Sequence, residues 1–216
     1  MALFQAVPYI IYTNSDFTNN NFGLAWGDLD GDGTNELLVS PSSISGANQP
    51  VFLNFNGSTF ITKNIPHSDF PNADEAFTII DIDNDGKNEL LQAETSNQLG
   101  IWKWNGTALV KTSDISVTTS PTGDIAGVQI NGNTYLFTAH TSSQHIHIEQ
   151  ISDYVTILQG SFNPGLIEVS GVTVQDIDCD GHFEMAVSGG GTFDGKKVKF
   201  FRLSDATNIT TWYDLN

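Results

Sequence analysis

Three short stretches of this 216-residue chain concentrate the side chains that can do chemistry. They read Asp28-Leu-Asp30-Gly-Asp32-Gly33-Thr34-Asn-Glu36, Asp81-Ile-Asp83-Asn-Asp85-Gly86-Lys87-Asn-Glu89 and Asp176-Ile-Asp178-Cys-Asp180-Gly181-His182-Phe-Glu184. Each places carboxylates at relative positions 1, 3, 5 and 9, with glycine at position 6. In a tight loop that alternation turns the odd side chains inward, and the glycine permits a sharp bend. Clustered anions repel unless a cation sits among them. Hard oxygens in this array suit Ca²⁺, which takes about 6–8 oxygen ligands at about 2.3–2.6 Å. The expected ligands are the three aspartates and the glutamate of each loop, with the backbone carbonyl of Thr34, Lys87 or His182 at position 7. Three such ions are expected, in a structural role.

An EF-hand shares the first six positions but needs a bidentate glutamate at position 12 between two helices. Position 12 is Val39, Gln92 and Val187, and the flanks alternate apolar and polar residues at period two, so strands flank these loops. Merely solvated acidic turns would not repeat the same glutamate three times. Other constellations are weaker. Gly190 to Lys197 nearly matches a phosphate-binding loop but ends in Lys where Ser or Thr is required, with no helix to follow. His145 and His147 share one strand face with His140 near, which reads better as a polar face than as a metal site. Cys179 has acidic neighbours, which raise a thiol's pKa, so it is not read as a nucleophile. No Gly-x-Ser-x-Gly elbow is present, and no carboxylate pair remains once the three loops are set aside.

The elements that must hold these loops repeat with them. Asp28 and Asp81 stand 53 residues apart and Asp176 follows 95 residues later, about two periods. An eroded copy lies midway at Ala126-Gly-Val-Gln-Ile-Asn131-Gly132-Asn133, with its strands kept and its aspartates lost. Strand pairs joined by Asn56-Gly57 and Asn105-Gly106 recur out of phase with the loops, a strong hairpin signal. Each unit therefore reads as four antiparallel strands with an acidic loop between the first two. The predicted fold is an all-β propeller of four blades in one domain, over about 14–65, 66–114, 115–161 and 162–216. Residues 1–13 carry an added outer or closing strand at Tyr9 to Thr13, and Asn208 to Asp214 also reads as a fourth strand. That surplus leaves an alternative, an open arc completed by a second chain into a larger ring.

Composition narrows the partners. Eight Lys and Arg face 25 Asp and Glu, a net charge of −17, which excludes nucleic acid and anionic membrane surfaces as main partners. With 39% hydrophobic and 15% charged residues the chain is no disordered acidic tail. No apolar run approaches the roughly 18 residues of a spanning helix. The single cysteine excludes an intrachain disulfide, and no signal-peptide pattern is visible at the N-terminus.

On the residues Phe22-Gly23, Gly27-Asp28-Leu-Asp30-Gly-Asp32-Gly33 and the strand Glu36-Leu-Leu-Val-Ser40, the units resemble FG-GAP/VCBS repeats, the blades of integrin α-subunit propellers. The resemblance covers almost the whole chain and implies Ca²⁺ at Asp28, Asp30, Asp32 and Glu36 and at the equivalent residues of blades two and four. It departs from the family in blade three, which has lost the metal residues, in Ser40-Pro41 where Gly-Ala-Pro is usual, and in having four blades where seven are usual.

With repeated blades, abundant Asn, Thr, Ser and Trp and no catalytic constellation, the expectation is a non-enzymatic recognition module. It would be lectin-like, with Trp102 and Trp104 as candidate glycan contacts on one strand. Protein–protein adhesion or assembly is the alternative, and a polysaccharide-acting enzyme the third reading. The expected partners are a glycan or a protein, with a homo-oligomer open. Calcium favours an extracellular or cell-surface setting, and the missing export signal keeps a cytoplasmic one open.

Overall fold

A computed structural model describes residues 21–41, 49–68, 70, 76–94, 97–118, 123–141, 143–190, 197–206 and 208–214. The strand expected at Tyr9 to Thr13 lies outside the described residues. Alternating apolar residues and turn-forming clusters produce four antiparallel four-stranded sheets, each in simple meander order. Blade one holds β1 (Asn21–Gly27), β2 (Glu36–Pro41), β3 (Val51–Phe55) and β4 (Phe60–Thr62). Blade two holds β5 (Phe77–Ile80), β6 (Glu89–Glu94), β7 (Gln98–Trp104) and β8 (Leu109–Ser116). Blade three holds β9 (Asp124–Ile130), β10 (Asn133–Ala139), β11 (Ile146–Ser152) and β12 (Val155–Phe162). Blade four holds β13 (Val169–Gln175), β14 (Phe183–Gly189), β15 (Lys197–Leu203) and β16 (Ile209–Asp214). The segment from Ile209 to Asp214 is thus blade four's own outer strand, paired to β15.

The four blades form a β-propeller with the first strand of each sheet innermost. β1 packs on β5, β5 on β9 and β9 on β13. Second strands are sandwiched between neighbouring blades and are buried on both faces, as in β6, where Glu89 to Ala93 are all buried. Three cores lie between successive blades. Leu38, Phe52, Phe77 and Trp102 fill the first; Leu91, Ile101, Ile125 and Leu136 the second; Phe137, Ile148, Met185 and Phe201 the third. Each such side chain stabilises the fold by roughly 1.5–3 kcal/mol on full burial. Among the described residues no comparable core joins blade four to blade one, and Leu24 and Trp26, on the face of β1 away from blade two, stay 64% and 50% exposed.

The hairpin turns differ from expectation in one respect. At Asn56-Gly57 and Asn105-Gly106 only the glycine has positive φ (93° and 94°). The asparagine instead caps the turn: Asn105 Oδ1 accepts from Thr107 and Ala108 N–H at 3.0 and 2.9 Å. Two-residue turns with both φ positive, which match the right-handed twist of a hairpin, are Asn131-Gly132 (53° and 77°) and Asp153-Tyr154 (46° and 65°), both in blade three.

Candidate functional site

The three acidic loops share one backbone. Position 1 caps the loop from inside: Asp28 accepts from Gly31 and Gly33 N–H at 2.8 and 2.9 Å. Asp81 takes Asp85 and Gly86 at 3.2 and 2.8 Å, and Asp176 takes Asp180 and Gly181 at 3.1 and 3.0 Å. Position 5 holds position 7, since Asp32, Asp85 and Asp180 accept from the N–H of Thr34, Lys87 and His182 at 2.8, 2.9 and 2.9 Å. Two positions need left-handed backbone. Position 6 is always glycine, and position 4 is Gly31, Asn84 or Cys179, with φ of 73°, 59° and 60°. Position 9 is the buried anchor, because Glu36, Glu89 and Glu184 are 0%, 1% and 0% exposed. Their Oε2 atoms accept the N–H of Leu29, Ile82 and Ile177 at 2.8, 2.9 and 3.0 Å.

Each loop also receives one basic side chain from its own blade. Lys63 Nζ lies 2.7, 2.8 and 2.8 Å from Asp30, Asp32 and Glu36. Lys103 Nζ lies 2.7 Å from Asp83 and 3.1 Å from Glu89, and the Tyr154 hydroxyl donates to Asp83. Arg202 reaches Asp178, Asp180 and Glu184 at 2.8, 3.1 and 3.1 Å. Burial pushes the carboxyls of Glu36 and Glu89 up, with the lysines pulling against it. Burial works the other way on the two ammonium groups, but their carboxylate partners outweigh it and raise both. The hydrogen bond from Lys63 holds Asp32 below its usual range. Burial and the bond to Asp83 push the Tyr154 phenol up to about 12.

The donor sets fit a hard divalent cation. One oxygen from each of Asp28, Asp30 and Asp32 lies within 4.8 Å of the others, and the same holds for Asp81, Asp83 and Asp85 and for Asp176, Asp178 and Glu184. Four carboxylates against one base leave a formal charge of −3 in the loops of blades one and four, and −2 in blade two, where Lys87 adds a second positive charge. Blade three has neither acids nor base here. Its turn is Asn131-Gly132, and Thr134 at the start of β10 pairs with Ile151.

The expected glycan contacts separate. Trp102 is 1% exposed, 4.2 Å from the Phe70 ring centroid, and its Nε1 donates to Gln92 at 3.1 Å. It is a core residue and offers no face to a ligand, which corrects that assignment. Trp104 is half-buried and lines a cleft of about 540 Å³ between the loops of blades one and two, with Asp30, Lys87 and Lys103. The more open tryptophan is Trp26, edge-on to Phe60 at 6.4 Å.

A second cavity, of about 310 Å³, follows the propeller axis and is lined by all four inner strands. Trp26, Thr78, Thr173 and Gln175 border it, and Asp124 is its one carboxylate among the described residues. Asp124 opens β9, accepting from Ile125 N–H at 2.9 Å and from Val172 N–H of blade four at 3.2 Å. No base pairs with it among the described contacts, and burial pushes its carboxyl up to about 6. Sequence reasoning passed it over because it sits in no motif. Its one distinguishing signal is its place at the head of an inner strand.

No protein-family model and no curated protein sequence matches the chain. Solved structures with similar folds include a Bacteroides ovatus family 43 glycoside hydrolase from a xyloglucan locus (TM-score 0.66, 11% identity, 94% of this chain and 43% of that one). Two α-L-arabinofuranosidases are similar as well. The Clostridium thermocellum enzyme has TM-score 0.62 and 12% identity over 89% and 71% of the two chains, and the Podospora anserina enzyme 0.59 and 12% over 94% and 76%. At such identities the likeness is one of fold. It nevertheless overturns the expectation of a non-enzymatic lectin-like or adhesive module. That expectation rested on the want of a catalytic constellation, whereas a similar propeller fold is built in solved carbohydrate-active enzymes.

Proposed function

We propose that the protein acts on a carbohydrate at the axial channel, with Asp124 as the proton-transferring group. The supporting observation is the carboxyl itself, half-buried in the channel and pushed up to about 6, so that near neutral pH it exchanges a proton readily. In the proposed hydrolysis Asp124 gives its proton to the leaving glycosidic oxygen as the C–O bond breaks, water attacks the anomeric carbon, and the water's released proton returns to Asp124. Backbone N–H groups of Ile125 and Val172 fix its orientation. Thr78, Thr173 and Gln175 offer hydroxyl and amide groups to sugar hydroxyls, and Trp26 offers an aromatic face beside them.

Calcium belongs to the same proposal as a structural ion of FG-GAP/VCBS-type loops, held by the three carboxylate sets. When bound it would neutralise charge and tighten the loops between the first two strands of blades one, two and four.

The test is release of reducing sugar from arabinan, xylan, xyloglucan and galactan by wild type and by Asp124→Asn. Turnover on at least one polymer is expected in the wild type, with a loss of about 100-fold or more in the variant and no loss of thermal stability. Failure on every polymer, or full activity in the variant, overturns the reading.

A further inference from the structure

We infer that Lys63, Lys103 and Arg202 are tethered counter-cations that keep the three acidic loops in shape whether or not a divalent ion is bound. Each basic group contacts the carboxylate at position 9, the most buried of its loop, and at least one inward aspartate, at 2.7 to 3.1 Å. A buried carboxylate with no cation would be costly to hold ionised. Here the cation is part of the chain.

Two observations carry this beyond chance proximity. The first is that the charge reaches the same place by different routes. In blades two and four the base stands on the third strand, across from position 9: Glu184 pairs with Arg202, and Lys103 is the next residue after the Leu90–Trp102 pair. In blade one that place, across from Glu36, is taken by Asn54, and the ammonium comes instead from Lys63, just beyond β4. The second is blade three, where acids and base are both missing. The chain has only eight basic residues, and three are spent on these loops, so the pairing is not a by-product of abundant positive charge.

The glutamate at position 9 then acts as an anchor: in every loop one oxygen takes the position 2 N–H and the other the tethered base. Its role is to join the loop to the blade. A divalent ion meets a loop that is already shaped and already one charge less negative. This inference is independent of the channel and deepens only the calcium reading.

Thermal unfolding of the full chain, followed by circular dichroism in EDTA and in millimolar CaCl₂, tests it. Wild type is expected to be folded in EDTA and to gain only a few degrees in calcium. Lys103→Met should melt lower in EDTA, and calcium should recover more of the loss, giving a calcium-induced shift at least about twice that of wild type. Lys103→Arg should behave as wild type. Arg202→Met provides the same comparison should Lys103→Met fail to fold in either medium. A wild type unfolded in EDTA, or a methionine variant with the wild-type calcium shift, overturns the inference.

Discussion

The carboxylates of the loops and the carboxylate of the axial channel are the same chemical group in opposite circumstances. Every position 9 glutamate is buried against a backbone N–H and a base. Asp124 is half-buried against two N–H groups, and the described contacts give it no base. Blade three is where the two circumstances meet, since it has given up its acidic loop for an Asn131-Gly132 turn and carries Asp124 at the other end of the same strand. That exchange shows that a blade does not need the acidic loop to form. A two-residue neutral turn closes β9 to β10 in good register. The loops of the other blades are therefore there to gather charge, and their bases make that charge affordable in structural terms. A carboxyl left without a base keeps its proton to higher pH.

The largest expected effect comes from breaking a loop pair. Glu89→Gln removes the charge that faces Lys103 while keeping size and one acceptor. Because Glu89 is 1% exposed, the loss should be that of a broken buried ion pair, about 3 kcal/mol. Urea unfolding at pH 7 measures it. A variant within about 0.5 kcal/mol of wild type would mean that the pair in the loop is worth no more than a surface contact, and the contrast with the channel would dissolve.

In the channel the described contacts show no base to be left behind. Asp124 holds its proton more tightly folded than unfolded, so its contribution to stability is full below the unfolded pKa and is lost as pH rises through about 6. Above that value the wild type carries a half-buried anion, and Asp124→Asn should be the more stable protein, by up to about 3 kcal/mol. Below about pH 4 the difference should vanish. Unfolding midpoints of both proteins from pH 4 to pH 8 show it, and parallel curves would mean that Asp124 titrates as an ordinary surface carboxylate.

What could be read from the sequence follows from this contrast. Repeats, four blades, strand identity and the position 6 glycines were legible because each rests on local periodicity or on a backbone angle that one residue type satisfies. The bases were not. Lys103 stands 14 residues after Glu89 and Arg202 stands 18 after Glu184, because the connection between the second and third strands differs in length, and Lys63 comes from another strand altogether. No fixed spacing exists to be recognised when the constraint is a position in space. Asp124 was illegible for a related reason, in that its chemistry comes from burial and from Val172 of the next blade, 48 residues away. Trp102 and Trp104 looked alike as alternate residues of one strand, and only packing on Phe70 separates the core residue from the one at a cleft.

The smallest expected effect tests whether the loops' shared backbone is maintained at a cost of its own, apart from the charges it gathers. Position 4 is left-handed in all three loops, and Cys179 holds φ of 60° where its counterparts are Gly31 and Asn84. The cysteine is exposed and free. An L residue other than Asn or Asp in that region is strained by about 1 kcal/mol. Glycine would relieve the strain but would also gain freedom in the unfolded chain, and the two effects oppose each other. Cys179→Gly should therefore raise stability by only about 0.5 kcal/mol, and Cys179→Asn, which tolerates the same angle with less unfolded freedom, by slightly more. Both gains should persist in EDTA, because the strain belongs to the backbone and not to the charges around it. A gain seen only with calcium would instead place the left-handed turn under the control of a bound ion.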